Sequence, residues 1–277
     1  MPRTLMPVNF GADLKHRTLS ALVLVPVVIA AAVWGGLPFA ILWVLAGFAI
    51  LFEWANLARL EQRPAYFALG GLAIAGGGAL TVLGMPSFAF SLVLLLAAGS
   101  SLAVPRQSLW AISGVLIAAS AALPVVGLRG DVPLGLIAVL FLCAVVWATD
   151  IFAYFTGRAL GGPKLWPRVS PNKTWSGAIG GTLAGIIAGV GVGAFAALPS
   201  LVPLAGLALL LSIVSQAGDL AESAVKRRAG VKDASRLIPG HGGLLDRLDG
   251  FAAASLVAAG VVFLRGAAEP AAGLLLW

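Results

Sequence analysis

Charged side chains are scarce in this sequence of 277 residues. Asp, Glu, Lys and Arg make up 10% of the chain, hydrophobic residues make up 60%, and the mean hydropathy is +1.01. Soluble domains carry about 25% charged residues because a folded surface must face water. So few charges cannot cover a soluble globule of this length. The composition therefore excludes an ordinary soluble protein and predicts a membrane protein.

Cysteine and histidine are almost absent as well. Cys143 is the only cysteine, and His16 and His241 are the only histidines. One cysteine excludes an internal disulfide, and two histidines so far apart give no metal-ligand spacing. Cys143 lies in the apolar run FLCAVVW, where a cysteine is typically a small core residue.

Apolar segments long enough to cross a bilayer fill most of the chain. About twenty apolar residues span the hydrocarbon core as a helix. Breaks at Gly, Pro and charge clusters predict one all-α domain, a polytopic membrane bundle with nine spans: 18–35, 37–58, 66–84, 86–104, 108–128, 132–157, 176–198, 201–222 and 250–267. We expect helices 18–128 to form a scaffold and part 132–267 to carry the catalytic segments. The short connections around Gly35–Pro38 and Gly84–Pro86 fit either a tight hairpin or a kinked region.

The basic residues test this map of spans. The formal net charge is +7, for which membrane orientation is a simpler explanation than nucleic-acid binding. When successive connections are assigned to alternate sides, every Lys and Arg except Arg129 and Arg265 falls on one side. Short cytoplasmic loops collect Lys and Arg. The pattern therefore predicts a cytoplasmic N-terminus and an external C-terminus.

A row of glycines marks one predicted helix. Gly181, Gly185 and Gly189 repeat at four-residue spacing. Small residues at this spacing let two helix backbones approach closely. The partner helix belongs either to a second copy of the chain or to the same bundle, and we favour the same bundle.

Polar residues gather in two long connections, Asp150–Gly177 and Gln216–Gly250, which the map places on the cytoplasmic side. In the second, Asp219 and Glu222 are three residues apart and share a helix face, and Asp246 and Asp249 repeat the spacing. Acids at membrane depth are expensive and typically face a cavity, a partner or a metal.

Oxygen ligands are those that Mg²⁺ prefers. We therefore predict metal binding for Asp219, Asp246 and Asp249. Glu222 and Lys226 are four residues apart, which favours a structural ion pair for Glu222.

A basic cluster and a glycine-rich turn follow the first acid pair. The cluster consists of Lys226, Arg227, Arg228, Lys232 and Arg236. It is able to attract anionic lipid head groups or to bind a triphosphate. The turn 239–243 (PGHGG) favours the triphosphate, since glycines let backbone N–H groups approach phosphate oxygens closely. Carboxylate pairs, clustered bases and such a turn are the parts used in phosphoryl and nucleotidyl transfer.

The first connection ends in polar residues before the apolar run of the seventh span. They are Arg168, Ser170, Asn172, Lys173, Thr174 and Ser176. Ser, Thr and Asn at this place are ordinary helix N-cap residues. Lys173 is also able to reach a phosphate, and the sequence leaves the two interpretations open.

Several segments match patterns of a known family. The longest runs from Ser223 to Asp249, and its fixed positions are Ser223, Lys226, Arg227, Lys232, Asp233, Ser235, Ile238, Pro239, His241, Gly242, Gly243, Asp246, Arg247 and Asp249. DIFAYFTG from Asp150, SPNKTWSG from Ser170 and LKHR from Leu14 match as well. Together they resemble the phosphatidate cytidylyltransferase (CDP-diacylglycerol synthase) family, and no position of the longest segment departs from its signature.

The resemblance implies an all-helical bacterial enzyme of the cytoplasmic (inner) membrane, assembled as a homodimer. The implied reaction converts CTP and phosphatidic acid to CDP-diacylglycerol and pyrophosphate, with Mg²⁺ as cofactor and a second cation left open. The implied catalytic residues are Asp219, Lys226, Asp246 and Asp249, and the first, third and fourth of them would hold the metal. The implied substrate-binding residues are Lys173, Ser223, Arg227, Lys232, His241, Gly242, Gly243 and Arg247.

Two other functions compete with this one. A CTP-using polyprenol kinase would be built from similar parts. An ion-coupled transporter would use intramembrane acids as ion sites, although here the acids cluster at one membrane face and no inverted repeat is evident. Purified protein that turns over no CTP would favour the transporter.

Overall fold

Long apolar helices make up most of the computed structural model, which describes residues 25–130, 132–235 and 242–277. Among these residues, eight helices are long and apolar enough to cross a membrane, and a shorter apolar helix precedes them. In chain order the helices are α1 (Val25–Trp34), α2 (Gly36–Leu57), α3 (Arg63–Val82), α4 (Pro86–Ala103), α5 (Ser108–Arg129), α6 (Pro133–Leu160), α7 (Trp175–Phe195), α8 (Leu201–Arg228), α9 (Leu245–Arg265) and the short α10 (Pro270–Leu275). The all-α bundle predicted from the sequence is confirmed, and only the first predicted span, 18–35, extends outside the described residues.

Three helices are longer at their polar ends than the sequence predicts. Helix α6 continues to Leu160, α8 continues to Arg228, and α9 begins at Leu245. The sequence predicts long connections over Asp150–Gly177 and Gln216–Gly250. This prediction is wrong at the ends of these ranges, where the residues belong to helices. The acids lie on regular helices, where backbone hydrogen bonds hold their positions and spacing.

The connection between α3 and α4 is a tight hairpin. Gly84 takes a φ of 74°, a conformation that strains other residues. Pro86 opens α4 in its first turn, where a missing N–H costs nothing. The two helices pack against each other along their lengths. At Gly84–Pro86 the structure therefore shows the tight hairpin and not the kinked region.

A short β-hairpin joins α6 to α7. Its antiparallel strands are β1 (Lys164–Trp166) and β2 (Ser170–Thr174). Thr174 ends β2 and caps α7, since its Oγ1 accepts a hydrogen bond of 3.1 Å from the backbone N–H of Gly177. The N-cap interpretation of this polar stretch is confirmed for Thr174.

Apolar side chains fill the bundle and also cover its outside. Trp43 of α2 stacks on Phe251 of α9 with ring centroids 5.0 Å apart, and Cys143 is buried beside them in the same core. Large apolar side chains such as Phe195, Val202 and Leu264 are almost fully exposed. A surface of this kind is stable in lipid and not in water.

The glycine row of α7 faces the interior of the same chain. Gly181, Gly185 and Gly189 are buried against α6 and α8. A Cβ at Gly181 would lie 2.5 Å from the backbone oxygen of Thr149 in α6. The preference for packing within one bundle is therefore confirmed for these glycines.

We expect Gly181→Ala to destabilise the protein by about 1–3 kcal/mol, because the new methyl group cannot fit between α6 and α7. Gly191→Ala is the matched control, because it lies on the same helix with nothing within 4 Å of its Cβ position. Thermal unfolding in detergent measures both variants. Equal midpoints for the two would contradict the tight α6–α7 contact.

The two basic residues that the charge pattern set apart both satisfy helix ends. Arg129 Nε donates to the Ala32 oxygen at 2.6 Å, and Arg265 Nη1 donates to the Gly273 oxygen at 2.6 Å. The last carbonyl groups of a helix have no partner within it. A cation there satisfies them and interacts favourably with the helix dipole.

Candidate active site

A large cleft opens at the end of the bundle where α6 and α8 end and α9 begins. Its volume is about 1270 Å³. One wall is apolar and consists of Val25, Val27, Val28, Leu42, Trp43, Leu45, Ala46 and Trp147. The polar part of the lining, here called the polar end, includes Asp150, Lys173, Gln216, Asp219, Lys226, Asp246, Arg247 and Asp249. The cleft can therefore hold a molecule that is apolar at one end and charged at the other.

Three carboxylates from three different helices line the polar end. Asp150 comes from α6, Asp219 from α8 and Asp249 from α9. Coulombic repulsion acts between Asp150 and Asp219, and Asp249 is repelled by both. Lys173 of β2 forms an ion pair with Asp219 and offsets part of this charge. The cleft as a whole carries no excess of negative charge, because five bases and four acids line it.

Lys226 lies between two carboxylates. Its Nζ is 2.5 Å from Glu222 Oε2 and 2.6 Å from Asp246 Oδ1. The pair with Glu222 has the i,i+4 spacing on α8, so the structural interpretation of Glu222 is confirmed. The pair with Asp246 joins α8 to α9 and fixes the two helix ends relative to each other.

Asp246 also accepts backbone hydrogen bonds from two separate segments. Its Oδ2 accepts from the Gly243 N–H at 2.8 Å and from the Ala234 N–H at 3.0 Å. With Lys226 on Oδ1, both carboxylate oxygens have partners. Asp246 therefore joins three parts of the chain: Ala234, Gly243 and, through Lys226, the end of α8.

Of the remaining predicted substrate-binding residues, Ser223, Arg227 and Lys232 do not line the cleft. Ser223 Oγ is 3.4 Å from Asp219 Oδ1, and Arg227 Nε donates to the Val169 oxygen of the β-hairpin at 3.2 Å. Arg247 lines the cleft, and Lys232 is exposed.

The glycine-rich turn is described only at its end. Gly242 has a φ of 80° and lies beside Asp246, and Gly243 lies against Glu53. His241 is outside the described residues.

Mg²⁺ suits the donors at the polar end. This ion is commonly held by one or two carboxylates together with water and substrate phosphates. Asp219 and Asp249 offer such a pair, and a cation would relieve the repulsion between them. Across 25–130, 132–235 and 242–277, no group of three or more His, Cys, Asp or Glu side chains is arranged to hold a metal alone. The assignment of Asp219, Asp246 and Asp249 to a metal stays a prediction.

Sequence reasoning assigned no role to two acids that the structure brings to this end. Asp150 was part of a matching segment, and Glu53 lies in the predicted span 37–58. Both are acids inside apolar runs, the same signal that identified Asp219. Glu53 is fully buried beneath the first turn of α9.

Comparison with known proteins shows the family to which this sequence is similar. The model of the cytidylyltransferase family matches residues 15–264. A phosphatidate cytidylyltransferase of Brucella abortus is 44% identical over 265 residues, which cover 94% of this chain and 96% of the relative. Proteins of the same name from Bacillus subtilis and Staphylococcus aureus are 46% and 47% identical over 118 residues, which cover 42% of this chain and 44% and 45% of those proteins.

Proposed function

Because this chain belongs to the cytidylyltransferase family, we propose that its cleft binds CTP and phosphatidic acid and transfers the cytidylyl group to the lipid phosphate. The products are CDP-diacylglycerol and pyrophosphate. The observation that carries the proposal is a single cleft with an apolar wall and a charged end. A phospholipid substrate needs both surfaces, and a nucleotide needs the second.

The reaction joins two anions, so their repulsion must be offset. An oxygen of the lipid phosphate forms a bond to the α-phosphorus of CTP. The bond from that phosphorus to the bridging oxygen breaks, and its electron pair leaves with pyrophosphate. The attacking oxygen is already anionic, so the reaction does not need a strong general base.

The residues of the cleft have distinct roles in this proposal. Asp219 and Asp249 would hold Mg²⁺, which when bound supplies positive charge to the triphosphate. Lys173, Lys226 and Arg247 line the same end and neutralise phosphate oxygens. The apolar wall, from α1, α2 and Trp147 of α6, holds the acyl chains.

Radiolabelled CTP tests the function directly. We expect purified protein in mixed micelles to transfer label to a chloroform-soluble product only when phosphatidic acid and Mg²⁺ are both present. Label appearing on a polyprenol instead would favour the kinase. Folded protein that transfers no label to either lipid would overturn the proposal.

We propose that the protein lies in the bacterial inner membrane and that its cleft opens toward the cytoplasm, as the charge pattern predicts. Cys143 is the sole cysteine and is buried, so the orientation is measurable by thiol labelling. We expect Arg168→Cys, in the exposed turn of the β-hairpin, to react with an impermeant maleimide only from the cytoplasmic side. Glu269→Cys, before α10, should react only from the other side, and the reverse pattern would contradict the orientation.

The resemblance also supports a homodimer, which we include in the proposal. Light scattering of the solubilised protein measures its mass. A monomer mass would exclude the dimer under those conditions.

A further inference from the structure

Glu53 is a buried acid on α2 that the sequence analysis assigned to no function. Its relative exposure is 0%, and it lies within a helix apolar enough to span a membrane. A buried carboxylate is costly unless hydrogen bonds satisfy its oxygens. Its position therefore depends on the partners that surround it.

Within the described residues, the donors to Glu53 come from the start of α9 and from the connection that precedes it. Oε1 accepts from Ser235 Oγ at 2.6 Å and from the Leu244 N–H at 2.8 Å. Oε2 accepts from the Leu245 N–H at 2.7 Å. These contacts join residues up to 192 positions apart in the chain.

Two of these bonds satisfy the N-terminus of α9. The helix begins at Leu245, and Leu244 at its N-cap position has no side-chain hydrogen bond of its own. The first N–H groups of a helix need acceptors from elsewhere, and a carboxylate there also interacts favourably with the helix dipole. Glu53 supplies that carboxylate from another helix.

The fit around Glu53 is close. A Cβ at Gly243 would lie 2.8 Å from Glu53 Oε2 and 2.9 Å from Oε1. A side chain at this position would displace the Glu53 carboxylate. The contact therefore fixes the start of α9 along its axis and in its distance from α2.

The first two turns of α9 carry Asp246, Arg247 and Asp249, which all line the cleft. Asp246 pairs with Lys226 there, and Asp249 and Asp219 both line the polar end of the cleft. A shift of α9 by a fraction of an ångström would change the distance from Asp246 to Lys226 and the distance from Asp249 to Asp219. The hydrogen bonds of Glu53 link α2 to the start of α9.

We propose that Glu53 is a positioning residue for cytidylyl transfer, which holds the first turn of α9 in register with the acids and bases of α8. The catalytic part of this proposal rests on the proposed function. The structural part does not, because it concerns only the α2–α9 contact. Glu53 itself touches no substrate.

Glu53→Gln tests the proposal with little change of shape. The amide keeps one acceptor oxygen, but its NH₂ group would face a backbone N–H donor. Misplacement of catalytic groups by about 1 Å costs up to about 100-fold in rate. We expect kcat to fall roughly 10- to 100-fold and KM for CTP to change less than kcat, since Lys173 and Lys226 are carried by elements other than α9. Glu53→Asp, which keeps the carboxylate, should retain more of the rate than Glu53→Gln.

Hydrogen exchange supplies a second readout that does not depend on activity. In Glu53→Gln, the amides of 244–249 are expected to exchange faster than in wild type. Glu61→Gln is the matched control, since Glu61 is exposed just after α2, and it should change neither readout. If Glu53→Gln does not fold, Glu53→Asp carries both measurements.

The outcomes separate the two proposals. Unchanged exchange and unchanged kcat in the Glu53 variants would overturn the positioning role. A fall in activity that only follows the amount of folded protein, with normal kcat per folded molecule, would also overturn it. Faster exchange of α9 in a protein whose wild type transfers no label would sink the proposed function and leave the α2–α9 contact standing.

Discussion

Replacement of Asp249 by asparagine is expected to lower turnover by on the order of a thousandfold while the protein stays folded in membranes. Asn has the shape of Asp but lacks its charge. Asp249 and Asp219 both line the polar end of the cleft, so the change removes one carboxylate of the pair that would hold Mg²⁺. The loss should appear in kcat for label transfer from CTP to lipid.

The unfolding midpoint and a control variant provide the checks on this result. Removing one of several repelling charges should not destabilise the protein, so the unfolding midpoint of Asp249→Asn is expected to equal or exceed that of wild type. Glu269→Gln removes an acid far from the cleft, before α10, and should leave turnover unchanged. Wild-type-like activity in Asp249→Asn would remove Asp249 from the metal site.

Lys226→Met is expected to destabilise the protein by roughly 3–5 kcal/mol and to lower activity as well. The side chains of Lys226, Glu222 and Asp246 are 12%, 6% and 7% exposed. Without the ammonium group, two buried carboxylates face each other with no cation between them. Asp246 keeps its backbone donors, so most of the cost is expected at Glu222.

A second substitution separates the charge effect from the loss of a phosphate ligand. Glu222→Gln on the Lys226→Met background should restore much of the stability, because it removes the unpaired charge. It should not restore turnover, since Lys226 lines the cleft in the proposed phosphate site. Arg228→Met, in the last turn of α8 and exposed, should change stability little. A Lys226→Met protein as stable as wild type would show that the ion pairs of Lys226 with Glu222 and Asp246 do not stabilise the fold.

Local patterns in the sequence were enough to predict the helices and much of the site. Hydropathy identified the spans because burial in lipid depends on about twenty consecutive residues. Spacing along a helix predicted the pair of Glu222 with Lys226, which the structure confirms. The motif from Ser223 to Asp249 predicted the family that the comparisons show. Each of these signals is contained in a short stretch of chain.

The sequence did not show which distant residues meet. Lys173 pairs with Asp219, and Lys226 pairs with Asp246 as well as with Glu222. Sequence reasoning predicted the pair of Lys226 with Glu222, but it did not foresee Asp219 as the partner of Lys173 or Asp246 as a second partner of Lys226. The glycine row of α7 had two possible partners, and only the packing of α6 against it decided between them.

The sequence by itself determined that the chain crosses a membrane, which residue types reach one end of the bundle, and to which family the signature belongs. Tertiary structure alone decided that Asp150 joins Asp219 and Asp249, and that Glu53 from α2 supports α9. Hydropathy and helical spacing act over neighbouring residues, so they leave a readable pattern. Contacts such as that of Glu53 with Leu245 depend on how helices pack across long stretches of chain, and no local pattern records that arrangement.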